Sequence, residues 1–108
     1  MRIRVSSSKN HLKQTDIDSI QHDLEKIDRR FGEMKQEVSA EVRISEAEGT
    51  RSGPGHHVVI ELEYGRNHLI AKAENGDLGQ AVRAARDDII RQINDRKRGG
   101  HSAKAKGR

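Results

Sequence analysis

Catalysis, metal binding and phosphate binding each need particular side chains at particular spacings, and in this chain the candidates are six histidines, 17 carboxylates and 21 lysines and arginines. His56 and His57 are adjacent within a strand-like pattern and so point to opposite faces, while His11, His22, His68 and His101 follow no metal-ligand spacing. The reading is therefore no metal site and no cofactor. There is no cysteine, which excludes disulfides, thiolate nucleophiles and thiolate-ligated zinc. The glycines from Gly49 to Gly55 are the nearest thing to a phosphate-cradling loop, but they lack the Lys-Ser/Thr ending and a following helix. With little apolar material to enclose a dry cleft, no catalytic residue, no enzyme activity and no small-molecule substrate is expected.

The cations remain. Six basic groups (Arg96, Lys97, Arg98, Lys104, Lys106 and Arg108) and no acid lie from Arg96 onward, so the preceding 95 residues carry 15 basic against 17 acidic groups, a net −2. A basic end on a mixed-charge body suits a polyanion. At 100° per residue, Arg83, Arg86, Ile90, Asn94 and Lys97 line one flank of a helical pattern, with Arg91 and Arg98 on its back and Asp87 and Asp88 interrupting. Lys26, Arg29 and Arg30 close an earlier helical pattern. Such residues can follow a phosphate backbone, or only solvate a helix and complement the negative end of its dipole. One Phe, one Tyr and no Trp leave almost nothing to stack on bases. That favours contacts to backbone and shape, as on structured RNA.

These side chains are positioned by six elements. Ile3 and Val5 alternate with polar residues, predicting a strand over 2–6. Thr15, followed by Asp16 and Asp18, reads as a helix start; Ile17, Ile20, Leu24, Ile27 and Phe31 form one apolar stripe and Gly32 stops it, predicting a helix over 15–31. Val38, Ala40, Val42 and Ile44 predict a second strand; Glu46 to Gly55, with three glycines and Pro54, reads as a mobile hairpin loop. Val58 to Tyr64 and Leu69 to Ala73 are two further strands around a Gly65-Arg66-Asn67 turn. Asn75-Gly76-Asp77 offers a turn and an N-cap. Leu78, Val82, Ala85, Ile89 and Ile93 then share one face of a helix predicted over 78–97, which Gly99-Gly100 ends. With 31 % hydrophobic and 35 % charged residues the core is thin. The order β-α-β-β-β-α predicts an α+β two-layer sandwich, both helices packed on one face of a four-stranded sheet. One domain over 1–98 and a basic flexible tail over 99–108 complete the organisation. No apolar h-region or membrane-length apolar run is present, so a soluble, cytoplasmic protein is expected.

That order, the segment Leu24-Glu25-Lys26-Ile27-Asp28-Arg29-Arg30-Phe31, and Asp77-Leu78 through Ala81-Val82, Ala85, Ile89 and Arg91-Gln92-Ile93 resemble the ribosome hibernation promoting factor and ribosome-associated inhibitor family over about residues 1–98. The resemblance implies a translation inhibitor that binds 16S ribosomal RNA in the decoding channel of the small subunit, and a monomer off the ribosome. By position it implies RNA contacts at Lys26, Arg91 and Lys97, with Arg29, Arg30, Arg83, Arg86 and Arg98 close by. Gly79 stands where the family commonly has an aromatic residue, and Asp23, Asp88 and Asp95 stand where lysine is frequent. Two alternatives stay open: a protein-interaction module modulating a sigma-54 transcription system, for which an exposed Ile90 beside Arg86 would serve, and a general structured-RNA-binding domain.

Overall fold

The computed structural model describes residues 1–8, 12–32, 37–50 and 53–105; side chains are described in these stretches except at 47–50, 53–54 and 97–105. The elements are β1 (Arg2–Ser7), α1 (Gln14–Asp28), β2 (Val38–Thr50), β3 (Gly53–Tyr64), β4 (Asn67–Asn75) and α2 (Leu78–Ala105). They form one sheet of order β1-β2-β3-β4. β1 runs parallel to β2, joined by α1 as a crossover, and β2, β3 and β4 form an antiparallel meander.

Register explains the single core. Ala40 pairs with Ile3 on one side and Leu62 on the other, and Ile60 lies between Val42 and Ala71, so the apolar positions of all four strands share one face. Ile20, Leu24 and Ile27 of α1 and Ala81, Val82, Ala85, Ile89 and Ile93 of α2 cover that face. The predicted two-layer α+β sandwich is the observed one. The smallest dimension, 18 Å, fits a sheet carrying one helix layer. Gly65, at φ +57°, supplies the left-handed residue of the two-residue turn between Tyr64 and Asn67.

The boundaries differ from the pattern in four places. α1 starts one turn-position earlier, with Lys13 rather than Thr15 at the N-cap; the Lys13 amide donates to Asp16 Oδ2 at 3.2 Å, so Asp16 satisfies the entry instead of the Thr15 hydroxyl. Its far end comes at Asp28, and Arg29 to Phe31 form a turn. The expected loop from Glu46 to Gly55 is mostly paired strand: Glu46 faces His56, Ala47 faces Gly55 and Thr50 faces Gly53 across a register shift, with 51–52 outside the described residues. Sheet pairing outweighs turn-forming composition there because the preceding rungs already align the two backbones. Lastly, α2 crosses Gly99-Gly100 to Ala105. Glycine inside a helix costs about 1 kcal/mol without forbidding it, and residues 106–108 lie outside the described residues.

α2 begins as expected. Asp77 Oδ1 accepts from the Gly79 amide at 2.9 Å, and Asn75 Oδ1 accepts from the Asp77 amide at 2.8 Å. Among the described residues no helix is long and apolar enough to cross a membrane.

Candidate nucleic-acid interface

Because β1 and β2 are parallel and α1 returns between them, α1 runs opposite to both strands. α2 follows β4 in the same way, and β4 runs parallel to β2 through two antiparallel pairings. The two helices therefore point in the same direction, side by side. Their amino ends lie near Asp16 and Asp77, and their carboxyl ends lie by the β3–β4 turn.

The seam between them accounts for the predicted arginine flank. α1 packs along the α2 side that carries Arg83, Arg86 and Ile90, so part of that flank is interior. Arg86 is only 6 % exposed. It donates to Asp87 Oδ1 from Nε at 3.0 Å, with Nη2 at 2.8 Å from the same oxygen, and donates from Nη1 to the Asp23 carbonyl at 3.4 Å. Ile90 is half-buried and packs against the core, contrary to the expected exposed position. Arg83, by contrast, is about half exposed, with Nη1 3.7 Å from Asp23 Oδ2, while Arg86 Nη1 is 3.9 Å from Asp23 Oδ1.

The other predicted contacts face water. Lys26 lies in the last turn of α1, and Arg29 and Arg30 follow it, all exposed. Arg91 on the back of α2 donates to Asp88, which raises its pKa from the ordinary guanidinium value. Lys97 and Arg98 belong to α2, but their side chains lie outside the described residues. Thus Lys26, Arg29, Arg30, Arg83 and Arg91 are all exposed, Arg83 and Arg91 each beside an acid, and Arg86 is not exposed.

Two cations not among the expected RNA contacts, Arg96 of the basic end and Arg66 of the predicted turn, sit at the carboxyl ends of the helices. Arg96 donates to Asn67 Oδ1 at 2.9 Å, and Arg66 occupies the exposed turn just before it. There the Phe31 and Tyr64 rings meet edge to face at 4.7 Å. Burial pushes the Tyr64 phenol up, and the charge of Arg96 opposes this. Arg66 was visible in the predicted turn; its proximity to Arg96 required the register of β4.

The open face of the sheet carries cross-strand charges. Arg43 donates to Glu41 and, at 2.8 Å, to Glu61 Oε1, and His68 meets Glu61 Oε2. The Arg43 and His68 hydrogen bonds hold the Glu61 carboxyl below its ordinary value. One donor atom each of Glu61, Glu63 and His68 lies within 4.8 Å of the others, a convergence invisible in the spacing because His68 comes from the neighbouring strand. Both carboxylates are in water or already paired, which is the ordinary condition of a solvated sheet face.

In a comparison with known folds, the chain is similar to the Protein Y N-terminal domain of Thermus thermophilus, with TM-score 0.69, 19 % identity, and coverage of 86 % of this chain and 96 % of that one. A ribosomal subunit interface protein from Coxiella burnetii is also similar, with TM-score 0.69, 13 % identity, and coverage of 90 % and 98 %. At these identities the likeness establishes the fold. No curated protein sequence matches the chain. The family model described as hibernation factor Hib, C-terminal domain, matches residues 2–108, so with the β-α-β-β-β-α order and paired parallel helices in place, the chain belongs to the hibernation factor family.

Proposed function

We propose that this chain is a ribosome-associated translation inhibitor that binds 16S ribosomal RNA in the decoding channel of the small subunit, acting in the cytoplasm and monomeric off the ribosome. One observation carries the reading beyond the family: Lys26, Arg29 and Arg30 at the end of α1 and Arg83 and Arg91 on the adjacent α2 are all exposed. Lys97 and Arg98 lie further along α2 in the sequence. The likeness to a ribosomal subunit interface protein supports a location between subunits. Binding there would be electrostatic and shape-directed, each phosphate contact adding a salt-dependent increment. The reading assigns no catalytic step. Arg86 serves a different purpose in it, holding α1 to α2 beneath the binding surface.

The sigma-54 alternative came from the family resemblance, with an exposed Ile90 beside Arg86 as the surface to serve it; that side chain is half-buried, and no observation of the structure favours this reading. Sedimentation of the purified protein with small subunits at two salt concentrations, with total RNA as competitor, tests the proposal. Saturable binding that weakens with salt and withstands competitor is expected; binding lost equally to any RNA would mean a general RNA-binding domain instead.

A further inference from the structure

At the seam, Asp23 lies between Arg83 and Arg86 and is mostly buried, with 18 % of its side chain exposed. Its contacts are loose. At 3.7 and 3.9 Å the carboxylate oxygens are beyond hydrogen-bonding distance of both guanidinium groups. Arg86 is already engaged by Asp87 at 2.8 Å, so Arg83 is the one whose charge Asp23 neutralises without using its donors.

The second half of the arrangement is Gly79. Arg83 folds back along α2 so that a Cβ placed at 79 would sit 3.1 Å from its Nη1 and 3.4 Å from its Nη2. The absent side chain leaves a notch in which the guanidinium rests, held between Gly79 and Asp23 with its side chain still 48 % exposed. Asp77 Oδ1, which accepts from the Gly79 amide, lies 3.4 Å from the same point, so the planar fork sits between the Asp23 and Asp77 carboxylates and is open on one side, where it suits the two oxygens of a phosphodiester.

We infer that the Gly79–Arg83 notch is a phosphate-binding site for the RNA backbone, and that Asp23 occupies it as a weak internal anion until a phosphate displaces it. This rests on the RNA-binding reading above. A phosphate gains short, charge-assisted hydrogen bonds where Asp23 has only a loose ion pair, so exchange favours RNA, but by less than if Arg83 were uncompensated. Asp23 is thereby an affinity-setting residue that keeps binding reversible.

The test is a thermodynamic cycle of Asp23→Asn, Arg83→Ala and the double variant, measured against isolated small subunits over a range of salt. Asparagine keeps the backbone carbonyl that Arg86 uses, so the fold should hold, which circular dichroism checks. Asp23→Asn should tighten binding roughly 5- to 10-fold at low salt and steepen the salt dependence by close to one contact, a slope of about 0.9. Arg83→Ala should erase the gain. Unchanged affinity in folded Asp23→Asn, or a gain that survives Arg83→Ala, overturns the notch while leaving ribosome binding intact. A pyrophosphate titration of Asp23→Asn, followed by the Gly79 amide and Arg83 side-chain resonances, separates the two levels. Shifts at these groups without subunit binding uphold the notch and overturn the ribosomal reading; no shifts overturn the notch.

Discussion

Arg83 and Arg86 stand three residues apart on α2 and meet different surroundings, which sets different consequences for losing them. Arg86→Ala removes a buried cation that donates to a carboxylate and to the Asp23 carbonyl, and leaves that carbonyl in the seam without it. A loss of roughly 1–3 kcal/mol in unfolding free energy is expected in chemical denaturation. Arg83→Ala should leave stability within about 0.5 kcal/mol, since its ion pair is half exposed and loose, and should instead weaken RNA binding. On the open face, Arg43 and His68 hold the Glu61 pKa below 4.5. A depressed carboxyl contributes stability that is present above its unfolded pKa and lost as pH falls through the folded value, so this contribution should begin to fall below the ordinary value of 4.5 and be gone once the folded Glu61 is protonated. Carbon-13 titration of the carboxyl should show Glu61 in Arg43→Gln moving back up toward 4.5; an unmoved titration would show that Arg43 is not its main partner.

At the scale of elements, the Asp77 cap is the most exposed to a single change. Its side chain is the acceptor for the Gly79 amide, so Asp77→Ala should cost about 1 kcal/mol, read as a lower unfolding midpoint. Alternation and the 3.6-residue stripe placed all six elements, because every strand buries one face and each helix one stripe. What periodicity could not show was which flank of α2 α1 would cover. Arg83, Arg86 and Ile90 all lie on that flank, and only the packing of the two helices divides them into an exposed cation, a buried one and a core residue. The hairpin extension beyond Glu46 was hidden for a related reason: glycine and proline mark turns locally, while pairing is decided by the partner strand. His68 beside Glu61 and Glu63, and Arg96 beside Asn67, likewise depend on register and not on spacing along the chain.

For the whole molecule, one thin apolar layer separates two different surfaces. The open sheet face compensates itself through Arg43, Glu41, Glu61, His57, His68 and Glu74, and the helix side carries the exposed cations Lys26, Arg29, Arg30, Arg83 and Arg91, with Asp23 beside Arg83 and Asp88 beside Arg91. The formal charge is +4, yet residues before Arg96 carry a slight negative excess, so affinity must come from placement more than from total charge. Strong dependence of binding on a few positions is therefore expected. Chemical footprinting of 16S ribosomal RNA within intact small subunits, comparing the natural chain with an Arg29→Glu, Arg83→Glu, Arg91→Glu triple variant, tests this most directly. The account predicts protection confined to the decoding channel with the natural chain and none with the folded variant; protection elsewhere, or protection unchanged in the variant, would contradict it.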